Sequence, residues 1–370
     1  MRYLILCFVV TFSNAFGDLA KSFTEFGLSL YPYLEEENEN LLFSPYSLGS
    51  SLSMIYLGAE GETKEEIQSA LSLPEKISPI SFDGFKIANS LWIKEGFSVL
   101  NTYQQALKKI FHAECRSLSF DMPEIAADSI NHWINDSTDG KIQKLCSSND
   151  FTQDTRLVLV NTLSFKGDWQ FPFSPERTYM GDFHLSSGEV KPTEMMSCKD
   201  SFLFSENEHY QVAALQIASS KDILFVLFLP KNEDRELTPE ILTESLDGLH
   251  YEHLDLTLPK FTMRKRLDPK EPLRNLDIVS LFSAASDLSG IDGKGELYLD
   301  KIIHECYLSI NEYGLDAAAA TASFMSKTSL PPYYIPFHLD RPFIFALFDQ
   351  KTQSLLFIGK MEHPSYDKKN

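Results

Sequence analysis

The sequence lacks the usual marks of catalysis. In its 370 residues there is no nucleophile elbow G-x-S-x-G, no H-E-x-x-H and no C-x-x-C. Gly290, Gly293 and Gly295 lie close together, but without phosphate-loop spacing or a closing Lys-Ser or Lys-Thr. His250 and His253, in HYEH, have no third ligand nearby and read as surface residues of a polar loop before a strand. An enzyme, a metal site and a cofactor are therefore not expected.

Basic stripes are also missing. The formal net charge is -19, and KKI at 108–110 and RKR at 264–266 are too short to offset it. Such a balance opposes binding to nucleic acid, heparin or an anionic membrane. Cysteine is sparse: Cys7, Cys115, Cys146, Cys198 and Cys306. The last four have spacings that match no metal motif, and a chain of this length needs no covalent staple, so packed thiols without a required disulfide are expected. The N-terminal apolar run, Tyr3 to Phe12, is too short to span a bilayer. With Arg2 before it and Ser13-Asn14-Ala15 after it, it reads as a signal peptide over 1–15. Secretion is the corresponding expectation, with residues 16–370 as one domain.

What is present is a series of helical and strand-like stretches. Leu19, Phe23, Phe26, Leu30 and Leu34 form a helical stripe. Ser44-Pro45 opens a second helix, since serine caps and proline fits the first turn. Thr63 with Glu66 suggests a capping box for a third. IANSLWI reads as a strand, NTYQQALKKIF as a helix, and the helix around Ile130, Trp133 and Ile134 runs on to Gly140. That helix carries a formal glycosylation sequon, Asn135-Asp136-Ser137. DILFVLFLP is apolar throughout, as in a strand covered on both faces. No linker or repeat interrupts the chain.

The odd stretch is NEYGLDAAAATASFMSKTSLPPYY, 311–334. Four consecutive alanines favour helix, yet the segment lies between two strand-like runs. An Ala-rich surface helix is one reading of it. The other is a resemblance to the hinge and reactive-centre loop of the serpins, protease inhibitors that insert this loop into their main sheet. Three further motifs resemble the same family: FSPYS at 43–47, GAEGET at 58–63, and VNTLSFKGDWQFPF at 160–173. The likeness runs from about residue 18 to 365.

The resemblance implies an α+β serpin fold, with three β-sheets, about eight helices and an exposed reactive-centre loop. It implies a suicide inhibitor that traps a serine protease as a covalent acyl-enzyme and inserts the cleaved loop into the largest sheet. About 15 residues at roughly 3.3 Å each would travel about 50 Å. The family's spacing from Gly314 places the reactive bond between Thr328 and Ser329, with Lys327–Thr328 as the alternative. Thr328 suits an elastase-like protease, whereas Lys327 would suit a trypsin-like one. Subtilisin-like and papain-like cysteine proteases stay open.

The hinge would comprise Glu312, Gly314, Leu315, Asp316, Ala317, Ala318, Ala319, Ala320, Thr321 and Ala322. Ser44, Ser47, Asn161 and His304 match the family's shutter cluster beneath the opening point of the sheet. Trp169, Lys260 and Glu312 match its breach, where the loop enters. The chain departs from the family at two places. Leu315 stands where inhibitory members have Thr or Ser, and it is expected to slow entry into the gap. Only PEKISPISFDGF lies where many members have a full extra helix, which carries the heparin site in the glycosaminoglycan-activated ones, so no heparin cofactor is expected. The implied molecule is a monomer. A non-inhibitory carrier, chaperone or storage protein of the same fold is the competing reading.

Overall fold

The computed structural model describes residues 15–74, 77, 85–232, 236–317 and 333–367. Its first helix, α1 (Ala15–Leu34), is followed by β1 (Leu41–Phe43), α2 (Pro45–Tyr56) and α3 (Gly61–Leu71). Every residue of α2 is buried. It can sit so deep because its residues are small where it meets α1: a Cβ on Gly49 would lie 2.4 Å from the Phe23 ring. Ser44 caps it, accepting from the Ser47 N–H at 3.0 Å, and Pro45 occupies the first turn.

Next come β2 (Phe85–Lys94), α4 (Asn101–Phe111), β3 (Glu114–Leu118), α5 (Pro123–Ser137), β4 (Leu157–Phe165) and β5 (Gly167–Asp168). The strands β6 (Tyr179–His184), β7 (Val190–Glu206), β8 (Tyr210–Ile217) and β9 (Ser220–Pro230) precede α6 (Pro239–Asp247). Then β10 (His250–Pro259) and β11 (Phe261–Leu267) lead to two short helices, α7 (Lys270–Arg274) and α8 (Ser289–Asp292). The chain continues with β12 (Leu299–Asn311), β13 (Gly314–Leu315), β14 (Ile335–His338), β15 (Phe343–Asp349) and β16 (Ser354–Met361).

The fold is α+β, with eight α-helices among the described residues. The strands form two hydrogen-bonded networks rather than three separate sheets because β7 is shared. Its start pairs with β6 and its end with β8. The larger network runs β1-β16-β15-β9-β8-β7-β10-β14, with β6 off its side. The second runs β3-β2-β4-β12-β13-β5, with β11 flanking β12. Its central strand β4, LVLVNTLSF, is buried along its whole length. Alternating residues explain this. Leu159 and Leu163 join the main core on one face, while Val158 and Val160 meet Ile130 and Ile134 of α5 on the other.

Three local expectations need correction. Thr63 does not cap α3: the chain enters through Gly61 at φ 54°, and Thr63 turns inward to Ser280 Oγ at 2.8 Å. Its expected partner Glu66 instead accepts from the Val279 and Ser280 N–H groups. α5 ends at Ser137, not Gly140, because Asp139 and Gly140 are left-handed; the sequon thus lies in its last turn. His250 and His253 stand in β10 rather than in a loop. Cys115, Cys146, Cys198 and Cys306 are free thiols. The segment between Leu73 and Ile87 lies mostly outside the described residues.

Candidate functional site

The second sheet holds an irregularity at its centre. β4 and β12 run parallel and pair directly, Val158 opposite Lys301 through Ser164 opposite Tyr307. At the upper end the ladder is split. There β13 lies between β12 and β5, antiparallel to both: Leu315 opposes Ile310 on one side and Gly167 on the other. A residue with a side chain could not replace Gly314, since its Cβ would meet Gly167 O at 2.1 Å. Leu315 is 0% exposed and belongs to the main core. Leu315 was expected to enter the gap only on insertion. It is already inside, because an apolar side chain of this size gains by leaving water.

Asn311 brackets this wedge. Its Oδ1 accepts from the N–H groups of Tyr313 and Gly314, and its Nδ2 donates to Ala317 O at 2.9 Å. Trp169 closes the top: its Nε1 donates to Asn311 O at 2.9 Å, and its ring packs 5.6 Å from that of Phe225. Beside it, Lys260 Nζ lies 3.1 Å from Glu312 Oε1, with both side chains almost wholly buried. Burial alone would raise the Glu312 carboxyl. Its own N–H, the Thr178 hydroxyl and Lys260 instead hold it below the ordinary carboxylate range.

Lower down, His304 and Asn161 are cross-strand neighbours on β12 and β4. The Ser44 N–H donates to His304 Nε2 at 3.1 Å, so that nitrogen must be an acceptor and the proton sits on Nδ1. Nδ1 donates to Asn161 Oδ1 at 2.5 Å. Asn161 Nδ2 in turn donates to Ser47 Oγ at 2.5 Å and to Asn89 Oδ1, which also accepts from the Ser51 hydroxyl. Burial lowers the His304 pKa to about 3.

The segment that follows α5, residues 142–151, packs on the β4–β12 ladder: Ile142, Leu145, Cys146 and Phe151 share one cluster with Val158, Val160 and Ile303. It is pinned by Asp150, which contacts Arg266 Nη2 at 2.5 Å and Lys301 Nζ at 3.2 Å. Burial works against this carboxylate, but hydrogen bonds from Arg266, the Ser147 N–H and Lys301 bring its pKa down to about 2. Arg264 adds a bond to Lys144 O.

A sheet parted at its top, with a polar joint below and a pinned cover above, is the frame on which the family comparison bears. The family model for the serpins (serine protease inhibitors) matches residues 21–364. The chain belongs to the serpin family. Among its relatives is the leukocyte elastase inhibitor of Bos taurus, 32% identical over 378 residues that cover 94% of this serpin and 99% of that protein. An uncharacterized serpin-like protein of Methanosarcina acetivorans is 30% identical over 373 residues, covering 95% and 87%. Human thyroxine-binding globulin in complex with its hormone superposes with a TM-score of 0.85 at 24% identity, over 95% of this serpin and 100% of that chain. Uncleaved ovalbumin gives 0.83 at 24%, over 94% and 100%. These two likenesses establish the fold alone.

In this serpin, Ser44, Ser47, Asn161 and His304 meet in one network, and Trp169, Lys260 and Glu312 meet around β13. Gly314, Leu315, Asp316 and Ala317 are placed at the wedge. The remaining hinge residues Ala318, Ala319, Ala320, Thr321 and Ala322, and the reactive-bond candidates Lys327, Thr328 and Ser329, lie outside the described residues. The sequence did not point to Asn89, Ser51, Asn311 or Cys306. The Cys306 thiol reaches His304 Nε2 at 3.2 Å. Asn89 precedes SLWI on an expected strand, and a polar residue at a core-facing position was the one signal available.

Proposed function

We propose that this serpin is a secreted suicide inhibitor of serine proteases. A protease would attack the loop after Thr328, or after Lys327 in the alternative register. The cut loop would then enter between β4 and β12 before the acyl-enzyme hydrolyses. The observation that carries this reading is β13. It is an antiparallel strand two residues long, begun at the mouth of a parallel ladder. Its continuation would replace one parallel pairing by two antiparallel ones, the slightly more stable kind. Following both registers down by six residues would set Thr321 between Asn161 and His304.

The preferred partner is an elastase-like protease, in keeping with the small Thr328 and with a relative named as an elastase inhibitor. Trypsin-like, subtilisin-like and papain-like cysteine enzymes are the alternatives. Export rests on residues 1–15, and a mature chain beginning at Phe16 is the expected product. The reading is of a monomer needing no heparin.

The test is incubation of the protein with elastase, trypsin, chymotrypsin and subtilisin at equal molar ratio, followed by denaturing gel and mass spectrometry. A covalent complex with a released peptide starting at Ser329 supports inhibition and the register. Clean turnover without a complex supports a second reading, a non-inhibitory member of the fold. Leu315 is the feature favouring it, since a buried leucine anchors the hinge where a smaller polar residue would let it slide.

A further inference from the structure

The end of β13 has a cause that lies outside the hinge. The Asp316 N–H donates to Ser309 O at 2.6 Å, one step further along the register between β13 and β12, so the ladder is set to continue. It stops because Asp316 is left-handed, at φ 49°, and turns the chain out of the sheet. Its carboxylate, on a side chain 8% exposed, lies 2.6 Å from Lys141 Nζ, on a side chain 18% exposed.

Lys141 is not on a free arm. It follows the left-handed pair Asp139 and Gly140, and its N–H donates to Thr138 O at 3.1 Å. The next residue, Ile142, is wholly buried under α5. Asp316 therefore belongs to the segment that would enter the sheet, and Lys141 to the segment that lies across the entrance.

We propose that Asp316 is a positioning residue which, through Lys141, halts loop entry two residues deep in the intact protein. The pair thereby sets how fast uncleaved molecules convert to a loop-inserted form. This rests on the reading that the loop inserts. The geometry favours a brake over an accelerator. Further entry requires Asp316 to leave the left-handed region for the extended one. It also requires Lys141 and its neighbours to lift away. Both movements pull against the same ion pair. Cleavage frees the far end of the loop, so that a full strand is then gained against this one contact.

The variants Asp316→Asn and Lys141→Met test it, since Asn tolerates the left-handed conformation and Met keeps the lysine stem. Uncleaved full-length protein is warmed below its melting point, and the fraction turning heat-resistant is followed with time. Each single variant should convert about three- to tenfold faster, and the double variant no faster than either single. Where conversion is too slow to follow, amide exchange at Asp316 serves instead, and it should quicken in Lys141→Met. Unchanged behaviour in either single variant, or effects that multiply in the double, overturns the pair. Wild-type protein cleaved in its loop is melted alongside. If it gains no heat resistance, insertion itself fails and the brake with it. If it gains resistance while the variants behave as wild type, the brake alone fails.

Discussion

His304 Nδ1 donates to Asn161 Oδ1 at 2.5 Å across the parallel pair β12 and β4, and the other ring nitrogen is committed to accepting from Ser44. The ring is therefore held neutral, and protonating Nε2 would lose the Ser44 bond. Burial depresses its folded pKa to about 3, against an unfolded value of 6.5. The unfolded chain thus binds the extra proton between these values. The stabilisation is complete above the unfolded value and is lost as pH falls towards the folded one, at about 1.4 kcal/mol per pH unit. Denaturation midpoints measured from pH 7 to pH 4 should fall more steeply in the wild type than in His304→Gln.

Leu315 supplies an apolar anchor for the hinge. Leu315→Ala should cost the intact protein about 2 kcal/mol, at the low end for a buried leucine because the wedge can withdraw instead of leaving a cavity. Faster amide exchange at residues 313–317 would accompany the loss. Unchanged melting and exchange would show that the leucine is not what seats the wedge.

Lys260 and Glu312 are both nearly buried, so removing one leaves the other with weaker partners only, Glu194 Oε2 at 4.0 Å for the lysine and the Thr178 hydroxyl for the glutamate. Lys260→Met and Glu312→Gln should each destabilise the intact molecule by about 3 kcal/mol, with little further loss in the double variant. The Lys260 ammonium also lies 4.5 Å from the centre of the Tyr366 ring, which tempers the loss on the glutamate side. Thermal melting of the four proteins gives the cycle.

Thr321 would bridge Asn161 and His304 once a strand parts them. Thr321→Val keeps the shape and removes the hydroxyl, leaving two buried polar groups unpaired. The cleaved form should melt several degrees lower than cleaved wild type, whereas the uncleaved forms should melt together. Equal melting of the two cleaved forms would refute the register.

The sequence made local features legible. Ser44 and Pro45 do open α2, NTYQQALKKIF spans α4, and DILFVLFLP falls in β9, buried from Ile223 to Pro230. These depend on neighbours within a few residues. Thr63 was misread because its partner, Ser280, lies 217 positions away, beyond the reach of any local capping rule. Asn89 was missed for the same reason, since its partners Ser51 and Asn161 lie 38 and 72 positions away. Asn311 was within local reach, because its side chain bonds Tyr313, Gly314 and Ala317, the kind of turn that asparagine favours. Motif likeness drew together Lys260 with Glu312 and Asn161 with His304, contacts that spacing alone could not have joined. It could not reveal that Leu315 was already buried, since that depends on how far the wedge has gone.

The zipper between β1 and β16 has a bearing on biogenesis. Leu41, Leu42 and Phe43 pair with Lys360, Gly359 and Ile358, so one of the earliest segments to leave the ribosome waits for one of the latest. Until then three apolar residues at a sheet edge stand open to other nascent chains. A ribosome stalled before residue 354 would leave β1 without its partner strand, so the expected product is a substrate for chaperones or proteases, not a shortened serpin.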